Sequence, residues 1–283
     1  MRWKGRRQSA NVEDRRGMSR GRVAVGGGLG TLAIALIVMF LGGDPKQVMQ
    51  ALQQAQPTTA QPAQPLSAEE QELTEFVSVI LADTEDVWNA LFQQMGKTYR
   101  EPKLVIFSGA VQSACGFAES ATGPFYCSGD DAVYIDLRFF QDMQKQLEAH
   151  GDFAWAYVIA HEVGHHVQNL LGTMQTMQSL QRGRSQEEAN RLLVRLELQA
   201  DFLAGVWAHH AQRTKDILEA GDIEEGLNAA AAVGDDRIMK RSQGYVVPDA
   251  FTHGTSEQRV RWFTLGFKTG DLSLGDTFAA KAL

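Results

Sequence analysis

Four side chains in the stretch "FAWAYVIAHEVGHHVQNLL" are equipped for chemistry: His161, Glu162, His165 and His166. The run is otherwise apolar enough for a core, where an unpaired polar group costs about 1–3 kcal/mol. Something has to satisfy them. If the stretch is helical, His161 and His165 stand one turn apart on one face. Two imidazoles so placed can reach a single zinc ion, and His-Glu-x-x-His on a helix is a zinc-binding pattern. Glu162 then points beside the ion and can act as general base on a zinc-activated water. The competing reading is a helix whose histidines are satisfied within the core. His166 lies about 100° further round the helix, so it reads as structural or rim-lining.

Two histidines leave a catalytic zinc one protein ligand short of the usual three. A continuation with Gly three and His six residues after His165 is excluded, because those positions are Gln168 and Leu171. The segment "RLLVRLELQADFLAGVWAHH" instead offers Glu197 and Asp201 at i, i+4 on a largely apolar helix face. Two carboxylates there should not stay ionised unless paired or metal-bound. Glu197 is therefore the expected third ligand of one zinc ion per chain. Asp201 is expected to accept the free N–H of His161 and orient it. An exposed carboxylate pair on a helix edge is the alternative, and Glu187 and Glu188 are weaker rivals among polar neighbours.

Further along, His253 precedes a helix capped by Thr255 or Ser256. Brought over the metal, it could hydrogen-bond the oxyanion formed when water attacks a carbonyl. Arg259, one turn into that helix, could support oxyanion or substrate, or could pair with an acid. His209 and His210 read as helix C-terminal residues, and His150 as a surface residue.

The elements that must position these groups are legible in outline. The chain has 283 residues, 44% hydrophobic and 22% charged, an ordinary globular composition. Ser67 and Glu70 form a capping-box pattern ahead of a helical stretch ending at Gly96. "KLVIF" (103–107) and "AVYIDL" (132–137) are β-rich, and from about residue 137 the pattern is helical. The fold class is α+β, mostly helical with a small β-sheet. An edge strand in the "GPFYC" to "AVYID" region could pair with an extended substrate. Cys115 and Cys127 are either disulfide partners or two reduced buried thiols; their spacing does not suit a zinc knuckle.

Charge is distributed unevenly. The net charge is −7, yet residues 1–22 hold eight Lys/Arg against two acids. The acidic remainder argues against nucleic-acid binding. Residues 23–41 are uncharged and mostly apolar, about 28 Å long as a helix, close to a bilayer's hydrocarbon thickness. Basic residues on one side predict a cytoplasmic N-terminus over 1–22 and a transmembrane signal-anchor helix over 23–42. A Gln/Pro/Ala-rich linker over 43–66 and an exported domain over 67–283 follow, giving a single-pass protein of the bacterial inner membrane. A cleaved signal peptide is the rival, but "GGDPKQVMQ" is a poor cleavage site.

Five blocks carry a resemblance: "MRWKGRRQSANVEDRRG", "SACGFAESATGPFYCSGDDAVYIDLRFF", "AHEVGHHVQ", "ELQADFLAGVWA" and "FTHGTSEQRVRWF". Together they resemble the bacterial neutral zinc metallopeptidases of the YpfJ type, over nearly the whole sequence. The Glu-x-x-x-Asp element is also similar to the gluzincin peptidases, including the HtpX-like group, where a late histidine is followed by an arginine. The resemblance implies a zincin-like, gluzincin catalytic domain, and His253 and Arg259 fit its oxyanion-supporting positions. The expectation is a membrane-anchored zinc endopeptidase acting on protein or peptide substrates. The alternative is a catalytically inactive, zinc-stabilised binding or chaperone-like module at the membrane. Glu162 argues against it, because a structural site needs no base.

Overall fold

The computed structural model describes residues 1–17 and 66–283. Two compact units emerge: residues 1–14 together with 67–283, and residues 15–66. The second falls almost wholly outside the described residues, and with it the predicted span over 23–42 and nearly all of the linker over 43–66.

In the first unit, strand β1 (Val12–Asp14) is followed by the long helix α1 (Ala68–Gln94). Its N-terminus is the expected capping box: Glu70 N–H donates to Ser67 Oγ (3.2 Å) and Ser67 N–H to Glu70 Oε2 (2.8 Å). Next come β2 (Lys103–Phe107), the hairpin β3 (Ala110–Ser113) and β4 (Gly116–Glu119), then β5 (Phe125–Cys127) and β6 (Ala132–Asp136). A sheet of order β1-β2-β6-β5 results, with β1, β2 and β6 parallel and β5 antiparallel at the edge. Alternation along the strands sends Leu104, Ile106, Val133 and Ile135 into the helical core. Val105, Phe107, Ala132 and Tyr134 face a smaller cluster with Val111 of the hairpin. Both faces are thus covered, which is why β2 and β6 read as continuous apolar runs. Cys115 and Cys127 form a disulfide that ties the hairpin turn to the end of β5.

Seven helices complete the described part: α2 (Arg138–Gln146), α3 (Asp152–Leu171), α4 (Thr173–Gln181), α5 (Gln186–Lys215), α6 (Asp222–Ala232), α7 (Asp235–Gln243) and α8 (Ser256–Thr269). The fold is therefore α+β and mostly helical, with a small sheet. Helices α3 and α5 pack closely at Gly164, where a Cβ would stand 3.0 Å from Ala200 O and 3.3 Å from Ala200 Cα. Gly205 does not serve this contact. It faces α8, where its Cβ would fall 2.1 Å from Phe263 O, and a Cβ on Gly266 would fall 2.1 Å from Phe202 O. Side chains at that crossing would force the two backbones apart.

The single-pass membrane topology is overturned. Among the described residues no helix is long and apolar enough to cross a membrane. Residues 1–14 also belong to the same compact unit as 67–283, not to a segment on the other side of a bilayer. Val12, Glu13 and Asp14 pair in register with Leu104, Val105 and Ile106. Four of the basic residues that suggested a topology signal are ion-pair partners: Arg2 with Asp216, Lys4 with Glu72, Arg6 with Asp83, and Arg7 with Glu85 and Asp86. Met1 and Trp3 are buried in the core, the Trp3 ring edge-on to Phe76 at 5.3 Å.

Candidate metal centre

Helix α3 carries "HEVGHH" across the closest part of its contact with α5, so the faces bearing His161, His165, Glu197 and Asp201 are brought together. One ligand atom from each of His161, His165 and Glu197 lies within 4.8 Å of the others. His161 Nε2 is 3.2 Å from Glu197 Oε2, and His165 Nε2 is 3.4 Å from Glu197 Oε1. Tetrahedral zinc with bonds of about 2.0–2.1 Å sets its donors about 3.3–3.4 Å apart. Two imidazole nitrogens and a carboxylate are also the right donor chemistry. The residues fit the ion.

The ring tautomers follow from what lies behind them. His161 Nδ1 faces Asp201 Oδ1 at 2.9 Å, an acceptor, so Nδ1 carries the proton. His165 Nδ1 faces Gln168 Oε1 at 2.8 Å. That amide cannot be reversed, because Gln168 Nε2 donates to Leu196 O (2.7 Å) and Gln199 Oε1 (3.1 Å). Both Nε2 atoms therefore turn toward Glu197, leaving both rings ready to ligate through them.

Asp201 is fully buried and heavily bonded. Arg259 Nε donates to its Oδ2 (2.8 Å) and Nη2 to its Oδ1 (2.9 Å), while Tyr157 Oη donates to Oδ1 (2.5 Å). Burial opposes the Asp201 charge, but Arg259 and His161 hold its pKa below the usual carboxylate range. Burial pushes the Tyr157 phenol well above its ordinary value, so it stays a donor. Of the two expectations for Arg259, the contacts show the pairing with an acid. Arg259 is buried, and its guanidinium is taken up by Asp201, Tyr157 Oη (3.2 Å) and Val233 O (3.3 Å).

Burial also disfavours a charged His161, yet Asp201 and Glu197 outweigh it and raise its pKa to about 10. Burial opposes and Glu197 raises the His165 value in the same way. A metal at these nitrogens thus competes with protons.

Glu162 differs from its neighbours. It makes no hydrogen bond or ion pair among the described residues, and it lines a cleft of about 490 Å³ that also reaches His161, His165, Glu197 and His253. His253 sits at this cleft with its side chain 49% exposed. Asp235, the first residue of α7, anchors it. Asp235 Oδ2 accepts the backbone N–H groups of Thr252 (2.7 Å), His253 (2.6 Å) and Gly254 (3.0 Å), and Oδ1 lies 3.1 Å from His253 Nδ1. The Asp235 hydrogen bond raises the His253 pKa against the opposing effect of burial.

Three further histidines serve structure, while His150 is exposed as expected. His166 is buried between Arg100 O (2.5 Å) and Tyr126 Oη (3.0 Å). His209 and His210 bond Phe267 O (2.8 Å) and Gly270 O (3.0 Å), carbonyls at the end of α8 and not of their own helix. Glu188 closes the capping box of α5 with Ser185, and Glu187 pairs with Arg191, so neither approaches the centre. A second acidic group, Asp152, Asp222 and Glu225, also clusters. There the Met1 amino group meets Asp152 (2.7 Å) and Asp222 (3.4 Å), and Glu225 accepts the Phe153 N–H (3.1 Å).

Three residues of the centre were missed in the sequence: Tyr157, Gln168 and Asp235. Tyr157 stands four residues before His161 and Gln168 three after His165, so helical periodicity could have found both. Asp235 carried no such signal, since its partners lie on another element.

The chain belongs to the family described as "Putative neutral zinc metallopeptidase", whose sequence model matches residues 1–278. It is 51% identical over 288 residues to "Uncharacterized protein YpfJ" of Escherichia coli (strain K12), covering 98% of this chain and 99% of that one. An uncharacterized protein of Mycobacterium tuberculosis (strain ATCC 25618 / H37Rv) is 42% identical over 221 residues, covering 74% of this chain and 73% of its own. No solved structure matches the chain.

Proposed function

We propose that this chain is a zinc-dependent endopeptidase of gluzincin-like architecture, with zinc held by His161, His165 and Glu197. The observation that carries the reading is the pairing of two proton-fixed Nε2 donors, spaced 3.2 and 3.4 Å from one carboxylate, with an unpartnered Glu162 beside them. A bound zinc ion would supply Lewis-acid chemistry, acidifying a water and polarising a peptide carbonyl.

The protein's own residues do the rest. Glu162 accepts the proton of the attacking water at a carboxylate oxygen and returns it to the leaving amine nitrogen. With no hydrogen bond or ion pair to give up among the described residues, it is open to do so. His253, with Nδ1–H held at Asp235, carries a second N–H at Nε2 in its protonated form, which the Asp235 bond favours, and that N–H can donate toward the carbonyl oxygen as that oxygen gains charge. Asp201, Tyr157 and Arg259 keep His161 in one orientation. Strand β5 is the sheet edge and places Phe125 and Tyr126 on the cleft, so an extended substrate can lie along it by backbone pairing.

The test uses the full-length protein. Zinc stoichiometry is measured by elemental analysis, and cleavage of a mixed peptide library is compared for wild type and Glu162→Gln. One zinc per molecule is expected in both proteins, with turnover in the wild type alone. Bound zinc without wild-type cleavage under any condition would favour a zinc-stabilised binding module. Cleavage undiminished in Glu162→Gln would remove the proposed base.

A further inference from the structure

We infer that the segment following α8 is a strap that holds the metal ligand His165 from behind, and that seating of this strap and binding of zinc reinforce each other. The inference rests on the assignment of His165 as a zinc ligand and goes beyond it to the residue that positions the ligand, Gln199. Helix α5 presents Glu197 and Asp201 toward α3, while Arg195, Gln199 and Phe202, spaced i, i+4 and i+7, share another face. That face receives residues 271–280. A 3-10 helix, Leu272–Leu274, opens the strap, with Asp271 Oδ1 accepting the Ser273 N–H at 2.9 Å. Gly275 then passes over Phe202 so closely that a Cβ would fall 2.4 Å from the ring, which is itself buried and edge-on to Trp262. A side chain there would lift the strap. Thr277 is buried and its Oγ1 donates to Arg195 O (2.6 Å), while Arg195 Nη1 donates to the carbonyls of Thr277, Phe278 (3.4 Å) and Ala280 (3.1 Å).

From the strap a chain of hydrogen bonds runs to the metal site. Gln199 Nε2 donates to Gly275 O at 2.9 Å, which turns Gln199 Oε1 toward Gln168. Gln168 Nε2 donates to that oxygen at 3.1 Å and to Leu196 O at 2.7 Å, which turns Gln168 Oε1 toward His165 Nδ1 at 2.8 Å. Reversing the Gln199 amide would set carbonyl against carbonyl at Gly275 and donor against donor at Gln168. The proton on His165 Nδ1, and with it the free lone pair on Nε2, is thus fixed in part by a backbone carbonyl of the strap. With the strap lifted, Gln199 loses its fixed sense and Leu196 O alone holds Gln168. Gln168 is fully buried, so the N–H that Gln199 had accepted would be left without a partner.

A cavity of about 340 Å³ beside this contact is lined by Gln199, Phe202 and Leu203 from α5 and by Leu272, Gly275 and Asp276 from the strap. The strap is therefore fastened by Arg195, Gln199 and Phe202 more than by continuous packing, which lets it seat or lift without unfolding the core. Binding and seating are then linked: whatever factor the seated strap adds to zinc affinity, zinc adds to seating. Gln199 acts through Gln168 and touches neither metal nor substrate, so it is a positioning residue.

The experiment uses the full-length protein, with zinc ion as the probe and EDTA as the metal-free arm. Hydrogen exchange in wild-type peptides covering residues 271–280 should slow about 5–10-fold when zinc binds. Competition with a chromophoric chelator should show zinc about 5–10-fold weaker in Gly275→Ala and Gln199→Met, and about 10–100-fold weaker in Gln168→Leu. Adding Gly275→Ala to Gln168→Leu should weaken zinc no further, because the relay is already broken. The visible spectrum of the cobalt-substituted protein should shift in Gly275→Ala, a change that lost stability alone does not produce. Exchange indifferent to zinc would overturn the coupling on the wild type alone, whether or not the variants fold. An equal further loss in the double variant would mean general loosening and overturn the relay. Either result with one zinc bound per molecule leaves the metal centre standing, and no zinc bound would remove both.

Discussion

The Asp201–Arg259 pair invites a double-mutant cycle. Both side chains are buried, and each supplies the other's compensating charge. Asp201→Asn leaves a buried guanidinium without a counter-ion, which should cost about 3–5 kcal/mol. Arg259→Met strands the carboxylate with two donors, Tyr157 Oη and His161 Nδ1, and should fall near the lower end of that range. Because domains are stable by only about 5–15 kcal/mol, each single variant should be folded but marginal. The double variant removes both charges. It should cost no more than the worse single, a coupling of at least about 3 kcal/mol. Zinc affinity should behave differently. Every variant lacking the Asp201 carboxylate should bind zinc about 10–100-fold more weakly, because His161 loses the charge that orients it and raises its basicity. Urea unfolding in EDTA reads the first effect, and competition with a chromophoric chelator at pH 7.5 reads the second. Additive single-variant costs would refute the pair as one unit. Unchanged zinc affinity in Asp201→Asn would refute its role behind His161.

Other outcomes follow from the same contacts. Trp3→Ala should destabilise the protein by about 3–5 kcal/mol in urea unfolding, since Trp3 is only 7% exposed; a change below about 1 kcal/mol would mean the N-terminal segment is not part of the core. Burial would raise the Asp136 pKa, but Arg138, Ser120 and the Gly109 N–H hold it at about 2. Its stabilisation is therefore full above the ordinary carboxylate value and lost as pH falls toward about 2, so Asp136→Asn should cost about 1–2 kcal/mol at pH 7, allowing for the exposed Arg138 partner. That difference should vanish near pH 2, and one that grows on acidification would reverse the sign of the effect. Cys115→Ser opens a loop of sequence separation 12 and should cost about 2–3 kcal/mol; dithiothreitol should lower the wild-type urea midpoint equally and leave the variant unmoved.

What could be read from the sequence depended on distance along the polypeptide. His161 and His165, and then Glu197 and Asp201, were legible because one helical turn relates the members of each pair, and an apolar face made their polarity conspicuous. Gly164 and Gly205 are small positions on the two helices that carry the polar pairs, but only Gly164 lies at their contact; Gly205 meets α8, a partner that spacing alone cannot reveal. Arg259 was placed on the right helix, yet its choice between substrate and acid depended on where Asp201 would lie. The basic N-terminus was misread for the same reason. Cations such as Arg2, Arg6 and Arg7, placed ahead of an apolar run, look identical whether they mark a membrane topology or await acids such as Asp216, Asp83 and Glu85 far downstream.

The N-terminal segment also reverses the order of synthesis and folding. Arg6 finds Asp83 77 residues later, and Arg2 finds Asp216 214 residues later. At translation rates of about 5–20 residues per second, the first residues made wait about 10–40 s for their last partners. The domain cannot be completed progressively from its leading end. Its final closure must follow production of α5, and contacts of such separation form slowly. Trp3 and Arg6 can meet Phe76 and Asp83 once α1 has emerged, whereas Arg2 and Met1 wait for Asp216 and Asp222, so the segment is secured in two stages.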